Sequence, residues 1–241
     1  MISIILPLYN ERENILRYNE LLFPKIDEIA KEREESLEYI MVDDGSKDDT
    51  AELLHKLSKS RDDIRVYIHA VNQGMGAAIK TGIKESRGDC IITMDSDLTY
   101  RPEEVAKLLD CYKETGADCV YGSPYGKGGS VEGVSNLRLI PSLGVTFLYQ
   151  IALGKRVSCV SAVIRLYRAE AIKKLTIDSN GFDICAEILA KMIFSNMDVR
   201  EVPMTLHTRN YGESKLNMRK EIVANLHMLK KLVKIRMDMN N

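Results

Sequence analysis

The stretch that most constrains this fold is Ile91–Leu98, an apolar run that ends in two carboxylates, Asp95 and Asp97. The apolar and β-branched residues before the carboxylates predict a strand buried on both faces, as in a parallel sheet. The carboxylates follow the carboxyl end of that strand, where open α/β sheets bind ligands. Alternate residues of an extended chain point to the same side, so both aspartates can face one hard cation. An acidic pair can also merely end a strand at the surface, so the motif alone does not decide.

Apolar runs alternate with helical segments along the first half of the chain. Strands are predicted at 2–8, 39–42, 64–68, 90–94 and 117–121, and helices at 11–35, 50–59, 74–86 and 102–114. This order predicts an α/β fold with a mainly parallel central sheet and right-handed crossovers. Because parallel strands share the edge at which they end, the polar residues after three of them, near Tyr9, Asp43 and Asp95, should lie on one rim.

The second half of the chain is less regular. The glycine-rich residues 122–133 predict a loop, and strands or extended segments are predicted at 160–167 and 199–206, with a helix at 183–195. The apolar segment 139–154 is too short and too broken to span a bilayer, so it predicts a helix packed on the sheet or lying at a membrane surface. A terminal helix at 217–239 has an apolar face and a lysine-rich face, which suits docking on the core and membrane-surface binding equally.

The composition excludes several classes of protein. The formal net charge of -1 implies no bulk attraction to nucleic acid. The five cysteines form no C-x-x-C pair, which predicts reduced, mostly buried thiols in a cytosolic protein. The amino terminus enters a strand without a basic region, unlike a signal peptide. No charge-free apolar run is long enough to cross a membrane.

Four motifs follow one another in the first half of the chain: Pro7-Leu8-Tyr9-Asn10-Glu11, Val42-Asp43-Asp44-Gly45-Ser46, Asn72-Gln73-Gly74-Met75-Gly76-Ala77 and Asp95-Ser96-Asp97. In this order they resemble the motifs of family 2 glycosyltransferases. Three later segments are Gly122-Ser123 with Tyr125 and Gly128-Gly129, then Glu201-Val202-Pro203, then residues 209–215. These are similar to the dolichol-phosphate mannosyltransferase branch, also called polyprenyl-phosphate glycosyltransferases. The resemblance covers residues 1–217. It implies a single Rossmann-like GT-A domain of the nucleotide-diphospho-sugar transferase type at 1–216, divided into a nucleotide-sugar half at 1–121 and an acceptor half at 122–216. A C-terminal amphipathic helix follows at 217–241.

The same resemblance implies a reaction. It is the inverting, metal-dependent transfer of a hexose from a nucleotide diphosphate sugar (GDP-mannose favoured, or UDP-glucose) to a polyprenyl (dolichyl) phosphate. Departure of the diphosphate builds negative charge, which Mg2+ or Mn2+ can neutralise. Asp97 is the expected main metal ligand, and Asp95 a second ligand or a contact to sugar and ribose. Thr99 stands where the branch often carries glutamine, which leaves room for water around the metal. The expected nucleotide contacts are Pro7, which shapes its loop, Tyr9, Glu11, Asp43, Asp44, Gly74, Gly76, Asp95 and Ser96.

The acceptor side needs cations. A phosphate monoester has a second pKa of about 6, so it is ionised near neutral pH and can attack the anomeric carbon without a strong base. Arginine forks and lysines position such a phosphate, and the resemblance assigns this role to Arg138, Arg209 and Lys215. These three residues and Asp97 form the predicted catalytic set. Pro124 replaces an arginine of the branch, and 162–164 replace a Ser-Gly-Phe segment, so another sugar or polyprenol remains open.

Two alternatives stay open. A family 2 transferase acting on a glycan or soluble acceptor would need a carboxylate base, for which Glu187 is the nearest candidate unless it is a helix-surface residue. A non-catalytic nucleotide-sugar-binding partner subunit is the other, although Asp95 and Asp97 argue against it. The expected location is cytoplasmic and peripheral at the membrane face. Contact with the membrane surface or with a membrane subunit would involve 139–154 and the terminal helix. The donor sugar and the oligomeric state are left undetermined.

Overall fold

The alternation of strands and helices is realised in a computed structural model of the chain, which describes residues 1–133, 136–209, 211 and 218–239. The strands are β1 (Ile2–Leu8), β2 (Leu37–Asp43), β3 (Ile64–Ile68), β4 (Cys90–Thr93), β5 (Cys119–Ser123), β6 (Ser130–Glu132), β7 (Arg165–Arg168), β8 (Val199–Pro203) and β9 (Thr205–His207). The helices are α1 (Arg12–Ile15), α2 (Tyr18–Leu21), α3 (Phe23–Glu32), α4 (Thr50–Ser60), α5 (Met75–Glu85), α6 (Val105–Thr115), α7 (Asn136–Leu153), α8 (Ala169–Lys173), α9 (Ile184–Phe194) and α10 (Met218–Met239). A 3-10 turn at Pro102–Glu104 leads into α6.

Seven of the strands form one sheet in the order β3-β2-β1-β4-β7-β5-β8. Every neighbouring pair is parallel except those of β7, which runs antiparallel to β4 and to β5. The predicted α/β class with a mainly parallel sheet is therefore confirmed. A small second sheet pairs β6 with β9 in parallel.

The centre of the large sheet is buried on both faces. All seven residues of β1 are buried, and they alternate between two cores. Ile4 and Leu6 join the core that contains Phe23 of α3, whereas Ile5 joins the core that contains Ile79 of α5. Helices therefore cover both faces, which explains why the sequence of the central strands is continuously apolar.

The five cysteines contribute to this interior as thiols. All of them are unpaired, and all except Cys111 are buried. Burial raises the pKa of the Cys90 and Cys119 thiols to about 12, so both stay protonated near neutral pH. The prediction that the thiols are mostly buried is confirmed, and the reduced state remains a prediction.

Several boundaries differ from those predicted. The helix predicted at 11–35 is three helices, and Pro24 lies in the first turn of α3, where proline is tolerated because that N–H needs no partner. The strand predicted at 160–167 begins only at Arg165, and α8 follows it directly. The loop predicted at 122–133 contains β6, because Ser130 N donates a hydrogen bond to Met204 O at 3.0 Å. Such distant pairing has no signal in the local sequence pattern.

The terminal helix α10 docks on the domain. Its Met228 and Leu232 pack in a third core with Tyr149 of α7 and Leu189 of α9, and the Tyr149 hydroxyl donates to Asn225 Oδ1 at 3.1 Å. One of the two interpretations of α10, docking on the core, therefore holds for its buried face. Within the ranges given above, no helix is both long and apolar enough to cross a membrane.

Candidate active site

Three loops meet at the carboxyl edge of β1, β2 and β4, as the parallel strands predict. Asn10 adopts a left-handed backbone with φ of 53°, and its N–H donates to Ser46 Oγ at 2.8 Å. The Tyr18 hydroxyl, buried beneath the loops, donates to the carbonyl of Ser96 at 2.8 Å. These contacts hold the loop after β1 against the other two. Asn tolerates the left-handed conformation better than most residues.

The loops build an acidic centre from Glu11, Asp95 and Asp97. Thr99 orients Asp97, because its N–H and its hydroxyl donate to Asp97 Oδ1 at 3.1 and 2.9 Å. The guanidinium of Arg209 lies on the other oxygen, with Nε and Nη2 each 2.8 Å from Asp97 Oδ2. The same Nη2 is 3.3 Å from Glu11 Oε1. The predicted metal ligand and a predicted acceptor-binding arginine are therefore in direct contact.

Burial and mutual repulsion disfavour the ionised form of the carboxylates in the acidic centre. Burial raises the pKa of Asp95 to about 8, and the charge of Asp97 adds to the rise. Burial also raises the pKa of Glu11, although the Arg209 charge opposes it. Burial would lower the pKa of Arg209, but the charges of Asp97 and Glu11 outweigh it and raise that pKa. Crowded, poorly hydrated carboxylates of this kind attract a further cation.

The donor set fits a divalent ion that is shared with a phosphate ligand. In the portion of the chain that the structure describes, no cluster of three or more His, Cys, Asp or Glu side chains is arranged to enclose a metal. Mg2+ sites of nucleotide enzymes use one or two carboxylates and complete their shell with phosphate and water. Asp97, with Asp95 beside it, would hold the ion in that manner.

A second feature of the site is one unpaired oxygen of Asp43. This side chain is fully buried. Its Oδ1 accepts hydrogen bonds from the N–H of Ser46 at 3.0 Å and from the Ser46 hydroxyl at 2.5 Å. Its Oδ2 is buried and has no hydrogen-bond partner among the residues that the structure describes. Leaving a buried acceptor unpaired is costly, so this oxygen suits an N–H donor from a ligand such as a nucleobase.

Asp44 is placed differently from Asp43. Its carboxylate accepts the N–H groups of Gln73 and Gly74 at 2.9 and 2.7 Å and pairs with His69 Nδ1 at 2.7 Å. His69 Nε2 in turn lies 2.9 Å from Thr81 Oγ1. Asp44 therefore fixes the turn that precedes α5, and His69 is a satisfied structural histidine. A contact from Asp44 to the nucleotide remains a prediction.

Gly74 and Gly76 allow two loops to approach each other. A Cβ on Gly74 would lie 2.3 Å from the carbonyl oxygen of Asn180, and one on Gly76 would lie 2.8 Å from that of Ser179. The N–H of Gly76 donates to Asn180 O at 2.7 Å. The space that side chains would need is thus filled by residues 179–181. That either glycine also touches the nucleotide remains a prediction.

Three further predicted nucleotide contacts line the same edge. Tyr9 follows β1 directly and is partly exposed, whereas Ser96 is buried between the two aspartates. Pro7 lies inside β1, opposite Val42 of β2, rather than in the following loop, which corrects the expectation that it shapes that loop. The strand accommodates proline because its pairing with β4 ends at Ile5, so Pro7 lies beyond that ladder, and its φ suits an extended backbone.

The acceptor residues are only partly described. Arg138 belongs to α7, but its side chain lies outside the described residues, as does Lys215. Arg209, the third member of the predicted acceptor set, faces the acidic centre.

Glu187 is neither a surface residue nor a free base. Its side chain is fully buried. It accepts the N–H of Ser179 at 2.8 Å and pairs with Lys191 at 2.6 Å. Burial opposes ionisation, but these bonds outweigh it and lower the pKa of Glu187. The interpretation of a helix-surface residue is wrong, and the carboxylate is committed to holding the 178–179 turn.

Arg165, for which the sequence motifs predict no role, has a fully buried side chain. The guanidinium donates to the carbonyls of Ala162, Cys185 and Val160 at 2.8, 2.6 and 2.7 Å. It therefore ties the segment before β7 to the start of α9. The signal in the sequence was a single arginine inside the apolar run 160–167.

Glu201 has a similar structural role on the same face of the sheet, where Tyr121 lies opposite Arg165 of β7 and Glu201 of β8. Its Oε2 accepts the hydroxyl of Tyr121 at 2.5 Å and the N–H of Ser158 at 3.2 Å. It joins the end of β5 to the segment that follows α7. The Glu-Val-Pro motif was recognised, but its pairing partners are distant in sequence.

Comparison with known proteins agrees with this geometry. A model of the family described as "Glycosyl transferase family 2" matches residues 3–176. The chain is 37% identical over 217 residues to a dolichol-phosphate mannosyltransferase of Pyrococcus furiosus, covering 89% of this chain and 59% of that protein. It is 31% identical to a polyprenol monophosphomannose synthase of Mycolicibacterium smegmatis, covering 89% of this chain and 80% of that protein.

Solved structures show the same fold. A glucosyl-3-phosphoglycerate synthase from Mycobacterium tuberculosis, in complex with Mn2+, UDP and glucosyl-3-phosphoglycerate, matches with a TM-score of 0.67 at 21% identity, covering 95% of this chain and 79% of that one. TarS of S. aureus, in complex with UDP, matches with a TM-score of 0.61 at 17% identity, covering 97% of this chain and 64% of that one. The fold is thus that of GT-A enzymes. On the match to more than half of its length, the chain belongs to glycosyl transferase family 2.

Proposed function

We propose that this chain catalyses the inverting, metal-dependent transfer of a hexose from a nucleotide diphosphate sugar to a polyprenyl phosphate. Mannose from GDP-mannose is the favoured sugar, and glucose from UDP-glucose is the alternative. The observation that carries the proposal is the acidic centre of Asp95, Asp97 and Glu11 at the carboxyl edge of the sheet, where Arg209 binds Asp97 and Glu11. The names of the two sequence relatives support the lipid phosphate acceptor. The chain spans 59% of the length of the Pyrococcus protein.

The donor would lie along the edge formed by β1, β2 and β4. The unpaired Asp43 Oδ2 would accept an N–H of the base, which places the diphosphate toward Asp97. A Mg2+ or Mn2+ ion held by Asp97, with Asp95, would neutralise the charge that develops on the leaving diphosphate. Thr99 keeps the Asp97 carboxylate in one orientation through two hydrogen bonds, so little reorganisation is needed at the moment of reaction.

The burial and the hydrogen bonds of Glu187 favour an acceptor that needs no general base. Because Glu187 is buried and fully engaged, it cannot approach an acceptor hydroxyl to remove its proton. A phosphate monoester needs no such base, since it is already an anion near neutral pH. One of its oxygens would form the new bond to the anomeric carbon from the face opposite the diphosphate. The bond from that carbon to the diphosphate breaks, and the leaving group keeps the electron pair.

The exposed faces of α7 and α10 support a membrane contact for the lipid acceptor. Phe147 and Ile151 of α7 are 61% and 59% exposed, and Val223 of α10 is 68% exposed. The two helices pack against each other through their buried faces, so these exposed apolar side chains belong to neighbouring helices. Apolar patches of this kind mark contacts with membranes or partner proteins. We assign the patch to the membrane surface or to a membrane subunit, with residues 1–216 as the catalytic domain and 217–241 as an added helix.

The test is a transfer assay with radiolabelled donors. GDP-mannose and UDP-glucose are each incubated with Mn2+ or Mg2+ and a short polyprenyl phosphate, and label is counted in the organic phase. Asp97→Asn is compared with Asp62→Asn, a matched change at an exposed residue. Transfer that Asp97→Asn abolishes and Asp62→Asn retains supports the proposal and names the sugar.

The other outcomes separate the alternatives. Donor that is hydrolysed without label reaching the lipid would refute the lipid acceptor and favour a glycan or soluble acceptor. Donor that is bound but never cleaved would favour a non-catalytic partner subunit. Loss of transfer in both variants would show that the change acts on folding and not on the metal site.

A further inference from the structure

Among the described residues, contacts of Arg209 and Tyr211 hold the segment after β9 across the acidic centre. We call residues 208, 209 and 211 the strap. Arg209 binds Asp97 and Glu11 through the distances given above. The guanidinium carbon of Arg17 lies over the ring of Tyr211, 5.4 Å from the ring centroid. The strap is therefore fixed at two points to structures that lie far from it in sequence, the loop after β4 and the α1–α2 region.

The position of Arg209 conflicts with that of a divalent ion. Asp97 Oδ1 already accepts two hydrogen bonds from Thr99, and Arg209 donates from two nitrogens to Oδ2. An ion coordinated by Asp97 needs one of these oxygens. A guanidinium and a divalent cation on the same carboxylate repel each other strongly in a half-buried site, where water screens little.

We propose that Arg209 is a stand-in cation, which occupies the acidic centre until a divalent ion binds at Asp97 and is displaced when it does. This inference rests on the proposed function, which includes the divalent ion at Asp97. Ion binding then releases the Arg209 end of the strap. The freed guanidinium can pair with phosphate oxygens through its fork of donors. Metal binding and delivery of this arginine to the substrates become one coupled event.

Coupling of this kind is reciprocal. If the ion weakens the hold of the strap, the strap weakens the hold of the ion by the same factor. Removing the Arg209 charge must therefore tighten metal binding in the absence of any nucleotide. An arginine that stayed in place would also weaken metal binding through its charge, so release of the strap when the ion binds is the observation that distinguishes a stand-in cation.

The experiment titrates the full chain with Mn2+, without nucleotide or acceptor, and measures free Mn2+ by electron paramagnetic resonance. Arg209→Gln should bind Mn2+ more tightly than the unaltered protein, by about 5-fold to 150-fold, the range of ordinary coupling energies. Tyr211→Ala, which loosens the strap without touching the acidic centre, should tighten binding by a smaller factor. Arg200→Gln, a change at an exposed arginine paired with Asp198, should have no effect.

A second readout follows the strap itself. Trypsin cleavage after Arg209, measured by mass spectrometry, should accelerate when Mn2+ is added to the unaltered protein. Equal or weaker Mn2+ binding by both Arg209→Gln and Tyr211→Ala would overturn the inference. If the unaltered protein and Arg209→Gln bind no Mn2+ even with nucleotide present, the metal site of the proposed function fails as well. If nucleotide-dependent binding persists but neither variant tightens it, only the strap is refuted.

Discussion

Arg165 offers the sharpest test of how the site is built, because it is a fully buried cation held by carbonyl groups. In the described part of the chain, its hydrogen-bond acceptors are carbonyl groups and not carboxylates. Its three hydrogen bonds run to Ala162, Cys185 and Val160. Replacing it with methionine keeps much of the volume and removes the charge together with all three donors.

The magnitude follows from two opposing terms. The buried carbonyls of Val160 and Ala162 cost about 1–3 kcal/mol each when they lose their donor, whereas the Cys185 carbonyl, in the first turn of α9, keeps its helical N–H partner. Relief of the desolvation of a buried ion offsets part of that loss. We expect Arg165→Met to lower the free energy of unfolding by a net of about 2–4 kcal/mol. Arg165→Lys should be at least as destabilising, because it keeps the buried charge while a single nitrogen cannot reach all three carbonyls.

Urea unfolding followed by far-ultraviolet circular dichroism measures the effect. With a slope of about 2–3 kcal/mol per molar urea, the midpoint should fall by about 1 M. The matched control is Arg168→Met in the same strand, where the arginine is 40% exposed and its ion pair with Asp118 is long, at 3.6 Å. That change should cost about 1 kcal/mol or less.

Two results would refute this reasoning. Equal midpoints for Arg165→Met and Arg168→Met would show that the three carbonyls do not depend on the buried guanidinium. A lysine variant much more stable than the methionine variant would show that the charge, and not the geometry of the fork, stabilises the segment.

Three further predictions concern the acidic centre and its supports. The folded-state pKa of Asp95, about 8, exceeds its ordinary value of 3.8, so the metal-free protein should lose stability as the pH rises from 4 to 8, and Asp95→Asn should flatten this loss in urea unfolding. Glu187→Gln should lower the free energy of unfolding at pH 7 by about 2–4 kcal/mol, because Lys191 loses a buried partner, as thermal unfolding would show. Gly74→Ala should cost more than about 2 kcal/mol, since φ is 104° and the new Cβ would lie 2.3 Å from Asn180 O.

Each of these has a control. Asp62→Asn should leave the pH dependence unchanged, and a similar slope for Asp95→Asn would contradict the burial argument. Glu170→Gln, at an exposed position of α8, should change the free energy of unfolding by no more than about 0.5 kcal/mol, as is usual for surface substitutions. Gly128→Ala, with φ of 89° but 3.5 Å of clearance, separates backbone strain from the clash. Equal losses at both glycines would mean that the contact with residue 180 is unimportant.

Local patterns of apolar residues in the sequence predict much of the fold. The run at 2–8 coincides with β1, because a strand buried on both faces must be largely apolar. The run at 64–68 coincides with β3, an edge strand that is only partly buried. The common rim followed from the strand directions alone. The antiparallel β7 and the pairing of β6 with β9 could not be predicted, since each depends on partners that lie far away in sequence.

The sequence by itself determined the chemistry at the rim: carboxylates after β4, acidic and polar residues after β1 and β2, and glycines before α5. Only the tertiary structure decided which of those groups are free. It engages both oxygens of Asp44, gives Asp43 Oδ2 no partner among the described residues, and places Arg209 on Asp97. The physical reason is that residue type fixes what a side chain can donate or accept. Whether that capacity is already used depends on neighbours that folding brings from distant parts of the chain.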